Sequence, residues 1–372
     1  MGKTYPQERT YGDTLVMLYP PYPDELLSSW IIRNSIAQGS DPMGWVYGFW
    51  GEWRAWTRDI DRFLPESKIV ELSRFSRLST ETIYDMTLAP VIALIEGSTP
   101  DVNKIWRWVI PTGRRNRSVV GGLQFCPHCL KDDGNIFPRS RRLSWHTHCP
   151  IHHIPLLEAC DRCAMPFSPH LIDYKAPYVY LCPRCGKDLR ASGTLPPSPQ
   201  VFGLQQMLDK ILLLPYDNPF PQWELQTKRA FFLFLRDLIG LSTIISRRAV
   251  RYEAWQIFLF GKPCYKKLSS RAGHTFDMRS IEERISLLSI ISHLLSRKPA
   301  YLIESLKHIE TTQAILNNRG FPLSDAMRDI LSQLPLQTAI SRTTSINKEP
   351  ASREPRTAEE VEREMRKIRK YL

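Results

Sequence analysis

Seven of the eight cysteines fall between positions 126 and 185. Thiolates at that density are soft donors suited to metal coordination. They form two sets in series: Cys126, Cys129 and Cys149 with a histidine, then Cys160, Cys163, Cys182 and Cys185. A Cys-x-x-Cys step lets two sulfurs converge on one tetrahedral ion, and a second pair about twenty residues later closes the sphere. The first set needs one more ligand from five nearby histidines: His128, His146, His148, His152 and His153. Cys149-x-x-His152 repeats the knuckle spacing and selects His152, with His153 and then His148 as alternatives. Gly186, after Cys182-x-x-Cys185, suits the left-handed conformation that turns backbone amides toward sulfur. Disulfides fit poorly, because the clustered cysteines are odd in number, no signal peptide precedes them and a chain this long needs no staples. Catalytic zinc keeps an open position. Here both sets are full and no His-Glu-x-x-His or His-x-Glu frame is present, so the pattern predicts two structural Zn2+ ions and no enzyme. Cys264 is expected to be a small buried apolar residue.

The formal charge is +12 over 372 residues, which suggests a polyanionic partner. Seven thiolates on two dications would reduce it to about +9. Local clusters are candidates for phosphate contact: Arg114, Arg115 and Arg117 before the first knuckle, Arg139, Arg141 and Arg142 inside its loop, and Arg247, Arg248 and Arg251 further on. A solvated loop is the competing reading for each. The apolar stretch 231–245 is broken by Arg236 and Asp237, so no membrane span is expected, and reduced cysteines point to the cytoplasm.

The surrounding elements read as mostly α. Helix 24–38 follows Pro20-Pro21-Tyr22-Pro23, with Asp24 as N-cap and a stripe of Leu26, Leu27, Trp30 and Ile31. An aromatic helix is expected over 45–63. Residues 67–88 have helix-turn-helix proportions, with Ser79 as cap and Thr80, Thr82 and Tyr84 at the end that would enter a major groove. The exposed acids Glu81 and Asp85 argue instead for packing or protein contact. After a Pro-rich linker at 195–199, helices are expected over 201–214, 227–241, 281–295 and 301–317. A second bihelical unit over 306–334 has Ser324 as cap and Arg328 exposed. The predicted organisation is an N-terminal helical domain (1–112), a tandem zinc-finger module (113–194), a C-terminal helical domain (200–335), a flexible linker (336–356) and a charged helix (357–372) opened by the capping box Thr357/Glu360. The first finger has three cysteines and one histidine as ligands, and the second has four cysteines.

Several of these segments together resemble the TniQ/TnsD family of target-selection proteins. They are Pro23-Asp24-Glu25-Leu26-Leu27-Ser28-Ser29-Trp30, the turn Arg58-Asp59-Ile60-Asp61, Met86-Thr87-Leu88, Phe125-Cys126-Pro127-His128-Cys129, Arg142-Leu143-Ser144-Trp145-His146 and Cys149-Pro150-Ile151-His152-His153. The resemblance covers about 15–190 specifically and 200–335 more loosely. It implies a role in bacterial DNA transposition without chemistry: marking duplex DNA at a target site and recruiting a TnsC-like AAA+ ATPase regulator, which engages the transposase. It also assigns Cys126, Cys129, Cys149 and His152 to one zinc site and Cys160, Cys163, Cys182 and Cys185 to the other. The family contains selectors that read an attachment sequence directly and TniQ adaptors that dock on a CRISPR effector complex with guide RNA. Direct reading is the expectation here, and the adaptor is the alternative.

Overall fold

A computed structural model describes residues 18–101, 104–115, 118–120, 122–132, 136–269, 275–316 and 322–336. The flexible-linker and terminal-helix expectations therefore lie outside the described residues. Twelve α-helices and one two-stranded antiparallel hairpin form the regular structure among them.

In the N-terminal part, α1 (Leu27–Ala37) is followed by α2 (Pro42–Trp50), α3 (Glu66–Ser76), α4 (Thr80–Asp85) and α5 (Ala89–Glu96). Asp24 does not cap α1: it sits in the left-handed region at φ 61°, and the N-cap position is Leu26. The first turn is instead served from a distance, since Ser28 N donates to Asp61 Oδ1 at 2.7 Å. The aromatic segment 45–63 is likewise not one helix. Asp41 caps α2 by accepting from Gly44 N, Gly51 ends it at φ 57°, and only a 3-10 turn, Ala55–Thr57, follows. Trp30, Trp45, Trp50, Leu72 and Ile83 close a small core between these helices.

The middle of the chain is sparse in regular structure. Strands β1 (Gly113–Arg115) and β2 (Ser118–Val120) pair as the hairpin, and α6 (Pro127–Lys131) starts at the first knuckle. Beyond it run α7 (Pro199–Leu213), α8 (Lys228–Ser246), α9 (Ala249–Phe260), α10 (Ile281–Leu295), α11 (Pro299–His308) and α12 (Asp325–Ser332). Thr227, Ser280 and Ser324 cap α8, α10 and α12 through their hydroxyls. The expected helix 301–317 ends at His308, and a separate 3-10 turn, Gln313–Leu316, follows Glu310 at φ 51°. The first helix of the second bihelical unit, placed at 306–316, is thus not continuous.

One apolar cluster runs from Leu26 to Leu334 and crosses both expected domain boundaries. Its hub is Trp108, packed edge-on against Trp145, Phe232 and Phe276 at centroid distances of 5.8, 5.5 and 6.1 Å. Such aromatic pairs contribute about 0.5–1.5 kcal/mol each beyond their buried area. The three sequence regions therefore share a core.

Candidate metal centres and nucleic-acid contacts

Three of the four ligand pairs are built on the same hairpin. At Cys149, Cys160 and Cys182 the cysteine N–H donates to the carbonyl five residues on (Ile154, Met165, Lys187), and the cysteine carbonyl accepts from the residue four on (His153, Ala164, Gly186), all at 2.8–2.9 Å. The fifth residue of each is left-handed: His153 at φ 56°, Ala164 at 55° and Gly186 at 68°. Only the glycine announces this in sequence, because the other two adopt a conformation that L-residues rarely take. The fourth pair differs, with Cys126 at the N-cap of α6 and Cys129 within its first turn.

These hairpins bring together Cys126, Cys129, Cys149 and His152 in one cluster and Cys160, Cys163, Cys182 and Cys185 in another, with ligand atoms within 4.8 Å of one another in each. His152 Nδ1 lies 3.6, 3.4 and 3.6 Å from the sulfurs of Cys126, Cys129 and Cys149. In the second cluster Cys160 and Cys185 are 3.7 Å apart and Cys163 and Cys182 3.6 Å. A tetrahedron with Zn–S near 2.3 Å has edges of about 3.8 Å, so the spacing fits one such ion per cluster. All eight cysteines are free. Without a cation the thiols oppose one another: hydrogen bonding to Cys126 and Cys149 pushes Cys129 well up, while Cys126 and Cys129 hold Cys149 well down. Both clusters could hold a metal ion that stabilises the thiolates together.

Of the five histidines only His152 places a ring nitrogen among the sulfurs of the first cluster; His128 packs edge-on against it at 5.3 Å, and His152 Nε2 pairs with Asp132 Oδ2 at 3.0 Å. A carboxylate on the far nitrogen fixes the tautomer that leaves Nδ1 free to ligate. The remaining histidines are held elsewhere. His148 Nε2 accepts from Ser198 N at 3.1 Å, and burial pushes its pKa down to about 4. His146 pairs with Asp209 at 2.7 Å, and His153 packs on Phe202.

The arginines inside the first loop are the main correction. Arg142 is 1% exposed and forms a bidentate pair with Asp59 at 2.8 Å, a second pair with Asp61 at 3.1 Å and a bond to Ile110 O. Burial raises the Asp59 carboxyl, but the charge and hydrogen bonds of Arg142 outweigh it and leave the group below its ordinary range. Arg141, 5% exposed, directs Nη2 at Cys129 Sγ (3.5 Å) and Cys149 Sγ (3.6 Å). Arg139 is half-buried and bridges Asp24 and the carbonyl of Asp85. Arg141 and Arg142 act inward and Arg139 is tied up in surface contacts within the chain, so the expectation that this cluster meets phosphate does not fit the structure.

The other candidates are scattered. The backbone of Arg114 and Arg115 lies in β1, while Arg117 is outside the described residues. Arg247 and Arg248 are exposed between α8 and α9, with Arg251 partly exposed in the first turn of α9. Arg328 is exposed and pairs with Asp325. Thr80 and Tyr84 are exposed on α4, whereas Thr82 joins the Ser79 cap. With six residues, α4 is about 9 Å long, and the α3–α4 pair alone does not establish a helix-turn-helix. Cys264, expected buried, is exposed.

Sequence reading missed the side chains that seat the first cluster. Gln205 Oε1 accepts from Thr147 N and His148 N, and Asp209 accepts from Trp145 Nε1. Asp277, fully buried, takes Trp108 N, Ser144 Oγ and Arg236. Arg284, also fully buried, reaches Ser144 O, Gln124 and Glu158. For Gln205, Asp209 and Arg284 the available signal was a polar residue within an apolar helix, since such groups are buried only with partners; Asp277, in the 3-10 turn before α10, gave none.

Among known families, residues 16–156 match the TniQ model. No curated protein matches the chain.

Proposed function

We propose, from the premise that this chain is a TniQ-family protein and so associated with transposition, that it acts as a TnsD-like selector: it binds duplex DNA at a target site and recruits an AAA+ regulator. The observation that carries the DNA reading is the charge. The formal excess of +12 remains positive after the metal sites are counted, and exposed Arg247 and Arg248 provide basic groups not engaged in the core. Phosphate neutralisation by such groups gives affinity that falls steeply with salt. The two Cys/His clusters serve this reading as structural zinc sites that stiffen the centre of the molecule, and both ligand sets are complete without a substrate position.

The adaptor reading, docking on an RNA-guided effector complex, is supported by the exposed end of α4, where Glu81 and Asp85 stand beside Thr80 and Tyr84. Acids there favour a protein surface over phosphate. A gel shift on fragments of candidate attachment DNA separates the two. Saturable, sequence-dependent binding without guide RNA is expected for the selector; binding that requires the effector complex would replace it with the adaptor.

A further inference from the structure

A cleft of about 580 Å3 lies between the zinc-bearing centre (Leu123, Gln124, Ala164) and the segment that joins α9 to α10 (Lys266, Lys267, Arg279). Residues 247–279 are the most basic stretch near it, with eight Lys/Arg against two Asp/Glu. Lys266 and Lys267 stand exposed on its wall. The hairpin bearing Arg114 and Arg115 rises between Ile110 and Gly122, which both line the cleft.

Arg279 lies at the base. It is 5% exposed, yet its Nε and Nη1 have no hydrogen-bond partner among the described residues. Among those residues Glu283 is its one carboxylate partner, at 3.4 Å, and that carboxylate is shared with the backbone N–H of Ser269 at 2.6 Å. Of the other acids of the lining, buried Asp277 is committed to Arg236 and part-exposed Glu158 to Arg284, while Glu282 faces solvent. Burial lowers the Arg279 pKa, and nearby Arg247 adds to that effect. A buried guanidinium held so loosely is costly, and an arriving anion offsets that cost.

We infer that this cleft is a phosphodiester-binding groove for duplex DNA, in which Lys266 and Lys267 hold the backbone at the rim and Arg279 receives a phosphate oxygen. The assignment rests on the DNA-binding reading above and gives it a location. Exposed Arg247, distant in sequence, lies near the guanidinium at its base.

The test measures affinity of the full-length chain for a duplex fragment across a salt series, with the melting temperature taken without DNA. Lys266→Ala/Lys267→Ala is expected to bind about tenfold more weakly, with a log–log salt slope flatter by about 1.8, or 0.9 for each lost phosphate contact. Arg279→Gln should also weaken binding while melting no lower than wild type, because the chain itself leaves the guanidinium poorly paired. A fall in melting temperature with unchanged affinity would make Arg279 a structural residue and overturn its assignment. Wild-type affinity and slope in all variants would overturn the groove but leave DNA binding standing. A wild type that fails to bind duplex would sink the selector reading and the groove with it. Loss of guide-RNA binding alone would assign the groove to RNA instead.

Discussion

The two metal clusters are similar in ligand spacing and in ligand burial, two ligands buried and two partly exposed in each, and differ in the charged groups around them. With Zn2+ bound, the set of three cysteines and a histidine carries one net negative charge, and the all-cysteine set carries two. The first is embedded: Cys126 and Cys149 are buried with Leu156 and Ile281, and buried Arg141 lies against two of its sulfurs. The chain on either side is clamped by Asp59, Asp61, Gln205, Asp209, Asp277 and Arg284. The second has Cys163 and Cys185 partly exposed, as Cys129 and His152 are in the first, but its neighbouring ion pairs, Lys187–Asp161 and Arg190–Asp188, sit at the surface. The first cage has a buried guanidinium against its sulfurs, while the charged side chains near the second are paired with one another at the surface. Desolvation explains the division: a buried charge needs a buried counter-charge, and an exposed one is screened by solvent.

Cys149→Ser should break the comparison at its stronger end. One equivalent of zinc is lost and the cooperative transition collapses, because the first cage joins both flanking helical regions; elemental analysis with calorimetry reads both effects. Retention of two zinc ions would remove Cys149 from the ligand set. Arg142→Ala comes next. It strands Asp59 and Asp61 without their cation, a change that costs about 3–5 kcal/mol in buried pairs, measured by urea unfolding. A loss below about 1 kcal/mol would mean that water reaches the site.

Cys182→Ser should also release one zinc, but leave the main transition in place with a smaller shift, as a locally unfolded second module would produce. An equal collapse in both cysteine variants would erase the contrast. The mildest effect is expected from Arg141→Ala, which removes the group against the sulfurs and should weaken the first site about 10–100-fold in chelator competition, without changing the second.

The prior expectation that Arg141 and Arg142 grip phosphate shows where local reading fails. Arg139-Ser140-Arg141-Arg142 looks like a solvated basic loop, and no feature within the segment says otherwise. Its partners Asp59 and Asp61 lie about eighty positions earlier, and the Arg58-Asp59-Ile60-Asp61 turn reads as equally polar. Two polar segments that neutralise each other become a buried element only when folding brings them together. The same reason hides the α1 cap: Asp24 is the local choice, but Asp61 does the work from 33 positions away. By contrast Ser79, Thr227 and Ser324 cap the helices that follow them, because each bonds an amide only three residues on.

What the sequence by itself determined is therefore short-range: the two ligand sets, the hydroxyl caps and the apolar stripes, all set by covalent spacing over a few residues. Tertiary structure decided how His152 is held against Asp132, which arginines leave solvent and that one apolar cluster crosses the expected domain boundaries. The last two outcomes depend on pairing charges and burying aromatic rings contributed by segments 80 to 170 positions apart, where chain spacing places no constraint.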